Sequence, residues 1–307
     1  MISPSEKRIA VLIPCYNEYL TIGKVVQDFK KNLPNSTIYV YDNNSTDSTI
    51  EVASALGVIV RKEPTQGKGA VVRRMFREID ADYYIMVDGD DTYDASIANS
   101  MLELAINESL DLVNAVRIQE SKDAYRSGHK LGNTILTGAV RKIFGNRVRD
   151  MLSGYKVFSR NFVKSFPVSE EGFGIETELT IHALELNMPV GHIDGKYGGR
   201  PEGSTSKLNT YKDGLRISSL IFRLFKHERP FTFFGLISVF LWLTSIMLMM
   251  PVLRDYFSTG MVPRFPTVIL ATGISIIAML SLISGLILNT VTKGRKEIKS
   301  LFYLNIK

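Results

Sequence analysis

The stretch YYIMVDGDDTYDA, Tyr83 to Ala95, ends a strand-like apolar run in four carboxylates, Asp88, Asp90, Asp91 and Asp94. Anions so close together repel and raise one another's pKa unless a cation neutralises them. Hard oxygen ligands favour Mg2+ or Mn2+, which keep waters and bridge to substrate phosphates. Asp88-Gly89-Asp90 therefore reads as a site for a divalent metal and a nucleotide diphosphate, with Asp88 and Asp90 as ligands. The plainer reading, in which carboxylates cap the following helix, suits Asp94 and leaves Asp91 open.

Three further polar clusters supply what a nucleotide diphosphate needs. Asp42, in DNNSTDST, can accept hydrogen bonds from a base edge, and Asn43, Asn44 and Ser45 add polar contacts. QGKGA, Gln66 to Ala70, sets two glycines and Lys68 at the start of a helical stretch, where backbone amides and an ammonium suit phosphate. It lacks the spacing and the Ser/Thr of a Walker A loop. CYNE, Cys15 to Glu18, completes the set. The single cysteine allows no internal disulfide and reads as a small buried residue in a reducing compartment.

The elements that must carry these clusters alternate. Arg8–Pro14, Thr37–Asp42, Gly57–Lys62, Tyr83–Asp88 and Leu110–Arg117 read as strands, with amphipathic helical stretches between them. Such alternation implies an α/β fold: a mostly parallel, Rossmann-like sheet with helices on both faces. Ligands of such sheets bind beyond the carboxyl ends of the strands, where all four clusters fall. MLSGYKVFS is expected as a short strand, GIETELTIHALELN as a helix and PVGHIDGKY as a strand.

The last third is different. Phe231–Leu253 and Phe265–Thr292 are uncharged apolar runs longer than the roughly 20 residues that cross a hydrocarbon core. They predict a transmembrane hairpin (about 231–253 and 266–292, within 231–307), preceded by an amphipathic interfacial helix at 211–230 and a catalytic domain at 1–210. The net charge of +6 is uneven: residues 211–307 hold about 12 Lys/Arg against 4 Asp/Glu, residues 1–210 about 25 against 27. This distribution argues against a nucleic-acid partner. Lys and Arg flank the spans on one side, so 1–230 and the C-terminus are expected in the cytoplasm of a protein integral to the cytoplasmic (inner) membrane. Ala271 and Ser275, and Ser281 and Gly285, are small residues four apart that let helices approach closely, within the hairpin or in a homo-oligomer.

VLIPCYNEYLTIGKVV, DNNSTDST, QGKGAVVR, VDGDDTYD, MLSGYKVFSR and RPEGSTSKLNT, in this order and before paired spans, resemble the family 2 glycosyltransferases that load a sugar onto a polyprenyl phosphate, the dolichyl-phosphate mannose synthase-like group. The resemblance covers essentially the whole chain. It implies a GT-A fold, a nucleotide-sugar donor, Mg2+ or Mn2+, and a lipid monophosphate acceptor. Under it Pro14, Tyr16, Glu18 and Asp42 contact the nucleoside, Lys68 the diphosphate, and Asp88 and Asp90 the nucleotide and metal. Arg117, Arg126, Ser153 and Arg200 surround the acceptor phosphate, and Arg200 and Lys207 belong to a closing loop. Asp150 matches a candidate acid/base group, with Asp91, which adjoins the metal pair, as the weaker alternative; Asp150 also reads as a surface carboxylate paired with Arg147 or Arg149.

The expected reaction is inverting transfer of a hexose, from UDP-hexose to undecaprenyl phosphate or from GDP-mannose to dolichyl phosphate. A flippase and a downstream glycosyltransferase are partners such an enzyme could serve. A catalytically silent anchor that binds nucleotide sugar is the alternative from another class. A processive polysaccharide synthase fits poorly, because the only tryptophan, Trp242, lies inside a span.

Overall fold

The computed structural model describes residues 7–119, 134–135, 137–142, 145, 147–167, 174–199, 219 and 221–306. The chain divides into two compact units, one of residues 1–217 with 299–307, the other of 218–298.

The first unit is built on seven strands: β1 (Ile9–Cys15), β2 (Thr37–Asp42), β3 (Ile59–Lys62), β4 (Tyr83–Met86), β5 (Leu112–Gln119), β6 (Lys156–Ser159) and β7 (Val190–Tyr197). They form one sheet in the order β3-β2-β1-β4-β6-β5-β7. All pairings are parallel except those of β6, which runs antiparallel between β4 and β5. Alternation alone does not foresee this insertion: β6 returns across the sheet after a long excursion, and so carries Ser153 and Gly154 to the end of β4.

Helices cover both faces, as the period-2 strands and 3.6-period segments require. On one face α1 (Ile22–Asn32) and α4 (Ala98–Asn107) pack Val25, Val26, Phe29, Met101 and Leu102 against Val11, Ile13, Val40, Ile85 and Val113. On the other, α3 (Lys68–Glu78) and a helix at Ile175–Glu185 cover Leu12, Tyr84, Met86, Leu112 and Phe158. This unit also holds α2 (Thr49–Ala55) and α5 (Arg160–Ser165), and Ile175–Glu185 is α6. The segment 299–307 also belongs here: Lys299 Nζ lies 2.6 Å from Glu185, and the Tyr303 hydroxyl donates to Asp111 at 2.5 Å.

The second unit holds α7 (Pro230–Thr259) and most of α8 (Phe265–Leu304). Among the described residues these are the two helices long and apolar enough to cross a membrane. Their seam is made of Ala271, Ala278 and Gly285, seven residues apart and buried. Ser245 Oγ hydrogen-bonds the Ala271 carbonyl and Ser275 Oγ, both at 2.8 Å. Ser281 instead bonds back to its own helix, at Ile277. Residues 221–228 are helical, and most of the expected interfacial helix lies outside the described residues.

Candidate functional site

The loops after β1, β2, β3 and β4 meet at one rim. Asn43 ties the loop after β2 to the one after β3: its side-chain nitrogen donates to the carbonyls of Glu63 and Thr65, and its Oδ1 accepts from Gly67 N at 2.6 Å. Asn17, in a left-handed conformation, accepts from Thr46 N while its own amide donates to Ser45 Oγ. Gly67 has φ +122°, a backbone state that L side chains rarely adopt, and it turns the chain into α3 so that Lys68 faces the cleft.

The cleft, with a volume of about 260 Å³, is lined by Pro14, Tyr16, Glu18, Asn43, Lys68, Asp88 and Asp90, among others. Six of the residues predicted for donor and metal, Pro14, Tyr16, Glu18, Lys68, Asp88 and Asp90, thus share one cavity, and Asp42 lies beside them at the end of β2. Asp42 is fully buried; one carboxylate oxygen accepts from Ser45 N at 3.0 Å, and the other has no partner among the described residues. An orphaned buried acceptor is costly, and a ligand N–H is what would satisfy it.

Lys68 is held between two carboxylates. Its ammonium hydrogen-bonds Asp88 and lies 2.6 Å from Glu176 Oε1, at the first turn of α6. Burial works against the charge on Lys68, but the two carboxylates outweigh it and raise its pKa. Burial would likewise raise the pKa of Glu176; Lys68 wins and lowers it. Asp88 comes out raised, by burial and by its anionic neighbours Asp90 and Glu176, in spite of Lys68. Gly154 presses against it: a β-carbon at that position would lie 2.2 Å from Asp88 Oδ2.

A divalent ion fits this donor set. Asp88 carries an excess of negative field that a cation would relieve, and Asp90, buried with one oxygen on Thr92 Oγ1 at 2.7 Å, offers a second hard donor. Among the described residues no three His, Cys, Asp or Glu form a closed cage, so water and phosphate oxygens would complete the shell.

The other carboxylates of the opening stretch are spoken for. Asp94 caps the short helix Ala95–Ile97, accepting from Ser96 N at 2.8 Å. Asp91, with φ +55°, pairs with Lys24 of α1 at 2.6 Å.

Of the residues expected around the acceptor, Arg117 and Asp150 form a part-buried two-pronged pair, with Nε 2.7 Å from Oδ2 and Nη2 2.9 Å from Oδ1. Asp150 pairs here with Arg117 and not with Arg147 or Arg149; Arg149 bonds Asp194 instead. Burial would raise the Asp150 pKa, but the bonds from Arg117 outweigh it and hold the carboxyl below its usual value. The guanidinium also lies 5.4 Å from the centre of the Tyr197 ring. Ser153 is buried, its hydroxyl engaged with the backbone of Tyr155, while Gly154 N donates to Tyr93 Oη at 2.7 Å. Arg126, Arg200 and Lys207 lie outside the described residues.

The grip of Glu176 on Lys68, 108 residues away, and the bond from Gly154 N to Tyr93 leave no signal in sequence and need the fold.

Residues 10–166 match the profile described as Glycosyl transferase family 2. The chain belongs to that family. Glycosyltransferase AglJ of Haloferax volcanii is 30% identical over 303 residues, 97% of this chain and 99% of that protein. The dolichyl-phosphate hexose transferase of the same organism is 25% identical over 221 residues, 72% of this chain and 95% of the relative. Among solved structures, glucosyl-3-phosphoglycerate synthase of Mycobacterium tuberculosis superposes with a TM-score of 0.57 at 22% identity, covering 72% of this chain and 80% of the synthase. A further structure of that synthase contains Mn2+ and UDP (TM-score 0.56, 23% identity, 72% and 79% covered). The family 2 fold is therefore of the GT-A type anticipated from sequence.

Proposed function

We propose that this family 2 glycosyltransferase moves a hexose from a nucleotide-sugar donor, a UDP-hexose in the leading form of the reading, to a polyprenyl phosphate at the cytoplasmic membrane face, with inversion by single displacement. The observation that carries the reading is Lys68 clasped by Asp88 and Glu176 on the same rim that holds the unsatisfied buried oxygen of Asp42. A base N–H on Asp42 and a diphosphate on Lys68 would satisfy both at once.

Asp88 and Asp90 would hold the metal, which when bound would neutralise charge on the departing nucleotide diphosphate. Arrival of the donor would transfer Lys68 from Asp88 to phosphate oxygens, so the cation that ties Asp88 to Glu176 would also serve the leaving group. Arg117, aimed by Asp150, is the fixed cation offered to the acceptor phosphate. A phosphate monoester has a second pKa near 6 and is largely dianionic at neutral pH, so its oxygen needs no strong base. Asp150, locked on Arg117 and held acidic, suits positioning better than proton removal.

The lipid acceptor draws support from the dolichyl-phosphate relative and from two apolar helices. Because both flanks of the hairpin belong to the first unit, the catalytic unit and residues 299–307 fit one membrane face.

The test is incubation of detergent-purified protein with Mg2+ or Mn2+, a panel of nucleotide sugars and a polyprenyl phosphate. A glycolipid made from one donor is the expected result. Tight nucleotide binding with no product from any donor would replace the enzyme by the silent anchor.

A further inference from the structure

Lys156 is a lysine where a strand facing a hydrophobic core would ordinarily place an aliphatic residue. It opens β6, pairs with Met86 of β4 and Asn114 of β5, and so points to the face covered by α3 and α6. It is 1% exposed, and an ammonium buried this deeply is expensive. Burial pulls its pKa down to about 8, with Asp150 and Glu176 acting to keep the charge. Its one hydrogen bond among the described residues is to Asn114 Oδ1, at 2.5 Å.

That bond decides the orientation of the Asn114 amide. An ammonium only donates, so Asn114 must turn its carbonyl oxygen toward Lys156 and its NH2 group the other way. The NH2 group then donates to the backbone carbonyl of Asp150 at 2.8 Å. Asp150 in turn accepts from Arg117 through both oxygens and from Leu152 N at 3.2 Å. Two lines of donors therefore converge on Asp150: Lys156 through Asn114 onto its backbone carbonyl, and Arg117 onto its carboxylate.

We propose that Lys156 and Asn114 are a positioning relay that sets the Arg117–Asp150 pair, and with it the Asp150–Gly154 turn, for the incoming phosphate. The relay rests on the reading of Arg117 as the acceptor-side cation. Lys156 touches no substrate and acts through Asn114. Its charge is retained because a neutral residue in its place would leave the amide free to flip.

Two variants separate positioning from packing. Lys156→Met fills the space with a residue of similar volume, and such replacements of buried charges often leave stability unchanged or raised. Asn114→Asp gives Lys156 a buried counter-ion, yet the new carboxylate cannot donate to the Asp150 carbonyl. In both, hydrogen–deuterium exchange over Asp150–Gly154 should rise, and kcat/KM for the lipid acceptor should fall about tenfold or more. Nucleotide affinity should fall less than acceptor kcat/KM in Asn114→Asp, since Asn114 does not line the donor cleft; Lys156→Met also removes a charge felt by Glu176 and Lys68, so it is judged on exchange and acceptor kinetics. A simple structural role predicts normal acceptor kinetics for Asn114→Asp, and that result overturns the relay. Unchanged exchange over Asp150–Gly154 in both variants overturns it as well. If wild-type protein makes no glycolipid, the acceptor reading falls, and the exchange data still judge the relay.

Discussion

Gly154 and Asp88 are in contact: the glycine lies so close that a β-carbon would come within 2.2 Å of Asp88 Oδ2. A turn leading into β6 thereby backs the carboxylate at the end of β4, and the segment proposed to face the acceptor presses on the residue proposed to hold donor and metal. Gly154→Ala should displace Asp88, weakening nucleotide affinity and turnover together by about tenfold or more while the sheet still forms. Calorimetric titration with a nucleoside diphosphate and Mn2+, alongside circular dichroism, checks both halves.

Asp90→Asn keeps the shape of a metal ligand and removes its charge. Turnover should drop by at least about a hundredfold, with membrane insertion and melting temperature held. A variant as active as the wild type would remove Asp90 from the metal site.

Asp150 links charge to stability. Its folded-state pKa is depressed, so its contribution is fully present above the unfolded value of about 4 and is lost as pH falls through the lower folded value. Asp150→Asn strands Arg117 in the interior and should cost on the order of 3 kcal/mol near neutral pH. The gap in melting temperature between wild type and variant should hold from about pH 5 to 8 and narrow below about pH 4. A gap that persists undiminished in acid would show that the carboxylate charge is not what the protein loses.

In the hairpin, Gly285 faces Phe234 Cβ at 3.0 Å and Phe231 Cα at 3.5 Å from an added β-carbon. Gly285→Leu should push α7 and α8 apart and lower the melting temperature in detergent, at a cost of about 1–3 kcal/mol. The same change at Gly294, where an added β-carbon meets nothing within 4 Å, should be nearly silent.

The rim that gathers Pro14, Lys68, Asp88 and Asp90 was legible because each cluster follows one of the mutually parallel strands β1 to β4, so chain order alone brings them together. Hydropathy found the hairpin for an equally local reason. The antiparallel β6 was not legible, since no local pattern records that its partners would be β4 and β5. The bonds from Lys68 to Glu176 and from Arg117 to Asp150 join residues 108 and 33 positions apart, and pairings at such distances leave no periodicity. On α8 the step of four from Ala271 to Ser275 does meet α7, through the bonds of Ser245. Gly285 is buried too, while Ser281 turns back to its own helix, and the buried set Ala271, Ala278 and Gly285 repeats every seven residues, which keeps one side of a helix against its neighbour.

The bonds of Lys299 to Glu185 and of Tyr303 to Asp111 make the end of the chain a component of the catalytic unit. A soluble fragment cut at residue 217 would therefore be missing a piece of its own fold. Tyr303 leaves a vacancy beside the packed core of the α3 face, and Asp111 forfeits a donor. A peptide spanning 299–307, supplied separately, is the natural way to make such a fragment whole.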